Sequence, residues 1–162
     1  MFRYIRETAK AKPAALGLYA GSRRGTSDIY CPVHETGDFS ELKALARFDD
    51  LITAEQFGTG KFVMDPPGDA DLAAAGKGLE AARAALSSGR YDMVIMEEAA
   101  VAAAMGLVST DEILDIIRTR PEKTELVITG RNAPDALIAT ADLTEMREIK
   151  HYYQAELAAR RG

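Results

Sequence analysis

Two short apolar runs, Met93-Val94-Ile95-Met96 and Leu126-Val127-Ile128, limit the possible folds of this chain more than any other feature in it. An apolar run without polar alternation fits a strand buried on both faces, as in a parallel sheet covered by helices. Between the two runs, Ser109-Thr110-Asp111-Glu112 opens a helix carrying Ile113, Leu114, Ile116 and Ile117, and Pro121 lies just beyond its end. Parallel neighbours cannot be joined by a tight turn, and a helix between them supplies the crossover. Strand, helix and strand therefore predict an α/β unit.

The rest of the chain extends that alternation. Phe2-Arg3-Tyr4-Ile5, Ile29-Tyr30-Cys31, Leu51 to Phe57 and Leu143 to Met146 read as further strands. A helix is expected from Ala14 to Ala20, with Pro13 suited to its first turn and Gly21 ending it. Ser40 caps another, whose apolar positions are Leu42, Leu45, Ala46 and Phe48, with Glu41 and Lys43 facing water. The longest helix runs from Asp69 to Ser88, with Leu72, Leu79 and Leu86 on one stripe and Gly89 just past its end. Gly58-Thr59-Gly60 and Asp65-Pro66-Pro67-Gly68 punctuate a loop, and Pro134 to Thr140 forms a last helix. Neither a repeat nor a linker divides residues 1–162, so one α/β domain with a mostly parallel sheet is expected.

Composition narrows the function classes. Net charge is −5 and no Lys/Arg run reaches four residues, so the footprint of a nucleic-acid binder is absent. No apolar run approaches the ~18 residues of a membrane span, and Met1 to Arg6 holds no apolar signal core, so a cytoplasmic protein is expected. The single cysteine, Cys31, excludes an intrachain disulfide and supplies no metal cluster. His34 and His151 are the two histidines, and neither has a second ligand beside it in the sequence.

In open α/β sheets, ligands bind at the carboxyl ends of the strands. Glu97-Glu98 and Thr129-Gly130-Arg131-Asn132 both follow buried strands, which brings them to one edge together with Arg6 to Lys12. A carboxylate ending a buried strand suits Mg²⁺, while the same pair also fits a strand that simply ends in water. Gly130 permits a positive φ or a close backbone approach, and Arg131 offers a planar fork for phosphate or carboxylate. The bland alternative is an ordinary strand-to-helix turn with Asn132 as helix cap and Arg131 in solvent.

Taken with Thr144-Glu145-Met146-Arg147-Glu148-Ile149-Lys150-His151, these motifs resemble the ATP:corrinoid adenosyltransferases. The resemblance is nearly continuous from Ser40 to His151. It implies a P-loop NTPase-like (RecA-like) three-layer α/β fold, with helices on both faces of the sheet. It also implies transfer of the 5′-deoxyadenosyl group of ATP to a reduced corrinoid cobalt, in cobalamin biosynthesis or salvage. Mg²⁺, a reductase partner and a homodimer come with it. Carried over residue by residue, it implies nucleotide contacts at Lys10, Lys12, Thr129, Gly130, Arg131 and Asn132, and metal carboxylates at Glu97 and Glu98. Phe57 and Phe62, in Phe57-Gly58-Thr59-Gly60-Lys61-Phe62, and Glu145 and Arg147 fall on the corrinoid side; an aromatic there packs on the corrin face or anchors a hydrophobic loop. It assigns no catalytic acid or base.

The front of the chain departs from that pattern. Where the family has Gly-Asn-Gly-Lys-Gly-Lys-Thr-Thr, this sequence has Arg6-Glu7-Thr8-Ala9-Lys10-Ala11-Lys12-Pro13. A phosphate cradle turns successive backbone N–H groups inward, which requires glycine at its positive-φ positions and a hydroxyl for Mg²⁺. This segment contains no glycine, and Pro13 falls where a threonine belongs. Residues 1–39 therefore read as a degenerate phosphate-loop region, 40–151 as the family-like core and 152–162 as a tail. The alternative to a working adenosyltransferase is a non-catalytic relative that binds a corrinoid or a partner protein.

Overall fold

The computed structural model describes residues 2–6, 40–61, 63 and 66–144. Four strands, β1 (Phe2–Arg6), β2 (Met93–Met96), β3 (Glu125–Gly130) and β4 (Leu143–Thr144), form one sheet in the order β2-β3-β1-β4. Every pairing is parallel, with Met93 opposite Glu125, Phe2 opposite Leu126 and Arg3 opposite Leu143. The strands expected near both ends of the chain are thus neighbours in the sheet. The expected helix at 14–20, the expected strand at 29–31 and the end of the Leu143–Met146 strand lie outside the described residues.

The helices are α1 (Ser40–Leu45), α2 (Asp69–Ser88), α3 (Ala99–Ala104), α4 (Thr110–Thr119) and α5 (Asp135–Thr140). One face of the sheet, carrying Val94, Met96, Leu126 and Ile128, packs against Leu79 and Leu86 of α2, Ile113 and Ile116 of α4, and Leu137 of α5. The opposite face carries Met93, Ile95 and Val127, which are equally buried. Burial on both faces is the reason these strands show no polar alternation.

Each long helix carries its own start and stop signals. In α2, the Gly68 N–H donates to Asp71 Oδ2 at 3.2 Å. Asp69 and Asp71 place negative charge in the first turn, where the helix dipole favours it. Gly89 closes the helix at φ +65. In α4, Ser109 Oγ accepts the Glu112 N–H at 3.2 Å, and Glu112 Oε2 accepts the Ser109 N–H at 2.8 Å. Arg83 and Asp115 bridge α2 to α4 at 2.6 Å.

Three expectations change. Leu51 to Phe57 is not a strand: the N–H groups of Leu51 and Ile52 both go to the Phe48 carbonyl, and the segment is not part of the described sheet. The helix from Ser40 gives way to a 3-10 turn at Ala46–Phe48, which leaves Phe48 51% exposed while Leu45 is buried. The buried stripe of α2 starts at Ala75, one turn later than the leucine spacing implies, and Leu72 remains 41% exposed. Helix α3 was not expected, because a run of alanines has high helix propensity but no amphipathic pattern to announce it. No described helix is long and apolar enough to cross a membrane.

Candidate functional site

Because all four strands run parallel, their carboxyl ends share one edge of the sheet. The register sets who meets whom there. Met96 lies opposite Ile128, so the chain leaves β2 as Glu97 beside Thr129, while Arg6 at the end of β1 lies opposite Gly130. Arg6 therefore ends β1 next to the Thr129–Asn132 turn. The expected convergence of Glu97-Glu98 and Thr129-Gly130-Arg131-Asn132 is present in this geometry.

Glu97 is 6% exposed and Thr129 4% exposed, both polar groups in an otherwise apolar setting. Thr129 Oγ1 accepts the backbone N–H of Glu98 at 2.9 Å, tying the end of β3 to the turn after β2. Glu98 is half-buried and sits at φ +55, a left-handed conformation uncommon for a residue with a side chain. That conformation lets the chain reverse directly into α3, whose first residues are buried.

Gly130 has φ +131, and a Cβ there would lie 2.9 Å from the Val101 backbone nitrogen and 3.1 Å from Ala100 Cβ. Its small size thus serves packing against the start of α3. Arg131 and Asn132 are exposed, and Asn132 is left-handed at φ +56. The N-cap of α5 is Pro134, so Asn132 is not the helix cap that an ordinary strand-to-helix turn would use. Arg131 stands in the turn beside the edge that carries the two carboxylates.

Phe57 is partly buried and packs against the main core. Thr59 Oγ1 donates to Asp71 Oδ1 at 2.8 Å, which fastens the loop after Phe57 to the first turn of α2. Lys10, Lys12, Phe62, Glu145 and Arg147 lie outside the described residues. Sequence reasoning missed two contributors: the inward Thr129 hydroxyl and α3 as the surface that Gly130 meets. The Ala99–Ala104 run was the available signal for the second.

The donor set at this edge consists of hard carboxylate oxygens, which suits Mg²⁺. Among the described residues no cluster of three or more His, Cys, Asp or Glu side chains forms a metal cage. Glu97 and Glu98 are consecutive in the chain, and Mg²⁺ is commonly held by one or two carboxylates with water or substrate phosphate at its other positions.

A model of the ATP:corrinoid adenosyltransferase family BtuR/CobO/CobP matches residues 14–162. An uncharacterized protein of Nostoc sp. (strain PCC 7120) is 33% identical over 131 residues, covering 78% of this chain and 34% of its own length. The corrinoid adenosyltransferase of Sinorhizobium sp. is 35% identical over 94 residues, 57% of this chain and 44% of that protein. The Pseudomonas aeruginosa corrinoid adenosyltransferase is 29% identical over 117 residues, 72% of this chain and 58% of that protein. The chain thus spans between 34% and 58% of the length of these curated relatives.

Proposed function

This chain belongs to the ATP:corrinoid adenosyltransferase family BtuR/CobO/CobP, and we propose that it acts on a corrinoid at the carboxyl edge of its sheet with a weakened hold on ATP. The proposed fold is the P-loop NTPase-like one, with the loop after β1 in the phosphate-facing position. The reaction proposed from its relatives is attack of a reduced corrinoid cobalt on the ribose C5′ of ATP. A cobalt–carbon bond forms, the C5′–oxygen bond breaks and triphosphate leaves. Such a reaction depends on holding the two substrates in line more than on acid–base groups.

The observation that carries this reading is the convergence of Glu97, Glu98 and the Thr129–Asn132 turn, joined by the Glu98 to Thr129 hydrogen bond of 2.9 Å. Glu97 and Glu98 would hold Mg²⁺, whose charge offsets that of the triphosphate. Arg131 is suited to a phosphate oxygen. Phe57, Phe62, Glu145 and Arg147 are proposed for the corrinoid side, and a reductase and a second copy of the chain as partners.

A second reading, a relative that binds corrinoid without adenosylating it, is favoured by the segment after β1. Arg6 ends that strand opposite Gly130, and residues 7–13 contain no glycine and finish in Pro13. The family match likewise begins at residue 14, beyond that segment.

Incubation of chemically reduced cobalamin with the protein and saturating MgATP separates the two readings. Adenosylcobalamin accumulating above the protein-free control supports transfer. A corrinoid absorption change with no product supports the second reading, and no spectral change at all removes both.

A further inference from the structure

Thr129 is the penultimate residue of a strand whose following residues point to ligand chemistry, yet its own hydroxyl is turned into the protein. The residue is 4% exposed, and Oγ1 accepts the Glu98 N–H at 2.9 Å across a sequence separation of 31 residues. The bond runs from β3 to the turn that presents both carboxylates. Glu98 there holds φ +55, a conformation that a side-chain-bearing residue keeps only when its surroundings dictate it. The next residue, Gly130, lets the start of α3 approach to 2.9 Å from where a Cβ would stand. Two consecutive residues of β3 therefore fasten the Glu97–Glu98 turn, one by a hydrogen bond and one by close packing.

We propose that Thr129 is a positioning residue for the Glu97 and Glu98 carboxylates, and that its hydroxyl is not a nucleotide contact. By accepting the Glu98 N–H, the hydroxyl restrains the peptide unit between the two glutamates. The direction of both side chains is restrained with it. A divalent cation then meets one arrangement of the carboxylates instead of an average over several. This inference rests on the proposed reading of Glu97 and Glu98 as metal carboxylates. The chemistry asks for an acceptor on a short, buried side chain, which serine retains and the near-isosteric valine lacks.

The test is a Mn²⁺ titration followed by electron paramagnetic resonance, with Mn²⁺ alone as the probe. It compares the wild type, Thr129→Ser and Thr129→Val, with the Glu97→Gln/Glu98→Gln double variant defining non-specific binding. Groups that orient metal ligands without touching the metal typically affect affinity by ~10–100-fold, so Thr129→Val is expected to lose ~10-fold or more. Thr129→Ser is expected to keep the wild-type affinity. Urea midpoints measured in parallel separate this loss from general destabilisation. If Thr129→Val does not fold, Thr129→Cys, a weak acceptor, takes its place. Wild-type Mn²⁺ affinity in the valine or cysteine variant overturns the inference and leaves the metal reading intact. Binding by the wild type no stronger than by the double variant removes the metal reading, and this inference with it.

Discussion

Gly130→Ala should be strongly destabilising. At φ +131, an alanine occupies backbone space that L-residues rarely adopt, a strain of ~1–3 kcal/mol. Its Cβ would also meet the Val101 nitrogen at 2.9 Å, with Ala100 Cβ and Val101 Cγ2 both at 3.1 Å. Two of these three neighbours, a backbone nitrogen and a buried alanine methyl, have no rotamer to swing aside, and overpacking of this kind costs ~1–3 kcal/mol. Alanine returns ~0.4–1 kcal/mol by stiffening the unfolded chain. Taking the middle of these ranges, the net loss is about 3 kcal/mol. For a chain of this size it lowers Tm by roughly 6–12 °C. Gly106→Ala is the matched control, since Gly106 has φ +72 and open space within 4 Å of where a methyl would stand. It should lose only ~1 kcal/mol to left-handed strain. Urea unfolding of both variants measures the difference. If Gly130→Ala costs no more than Gly106→Ala, the close contact between β3 and α3 is not as described.

Four further outcomes are expected. Gly76→Ala, in the interior of α2 with nothing within 4 Å of the added methyl, should stabilise the protein by ~0.5–1 kcal/mol in the same urea assay. Ser109→Ala should cost ~1 kcal/mol through loss of the α4 cap. The Ser109 hydroxyl, then its backbone N–H, holds the Glu112 carboxyl below its ordinary value of 4.5. A carboxyl lowered in the folded state contributes stability above its unfolded pKa and loses it as pH falls through the folded one. Stability of the wild type should therefore decline below about pH 4.5 more steeply than that of Glu112→Gln, as read by Tm against pH. Replacing residues 6–13 by Gly-Asn-Gly-Lys-Gly-Lys-Thr-Thr should raise MgATP affinity by ~10²-fold or more, from two or three regained bonds at ~1.5 kcal/mol each. Calorimetry should show that gain vanish when Glu97 and Glu98 are both changed to Gln.

Much of this architecture was legible because its local signals agree with its burial. Met93–Met96 and Leu126–Ile128 lack alternation since both faces of the sheet are covered, and Ser109 with Glu112 forms the cap that their spacing implies. What stayed hidden depends on contacts distant in sequence. Leu51 to Phe57 has strand-like residues, yet the sheet pairs β3 with β1 and β2, and the Phe48 carbonyl takes the first N–H groups of that segment. Asn132 resembles a cap, but its backbone is left-handed and the N-cap of the helix is Pro134. The neighbours of Thr129 suggest a ligand residue, and the hydrogen bond its hydroxyl accepts from a partner 31 residues away is one that no local pattern encodes.

We propose that the carboxyl edge of the sheet is retained while residues 6–13, which lack the glycines and the threonine of the family pattern, have lost the chemistry of a phosphate cradle. Calorimetric titration with MgATP, carried to millimolar concentrations, tests it most directly. Loss of about three charge-assisted bonds at ~1.5 kcal/mol each weakens binding by ~10³-fold, which moves a micromolar site to the millimolar range. A dissociation constant at or above ~1 mM is the predicted result. A micromolar constant contradicts the account, because donors other than a glycine-rich loop would then be holding the triphosphate.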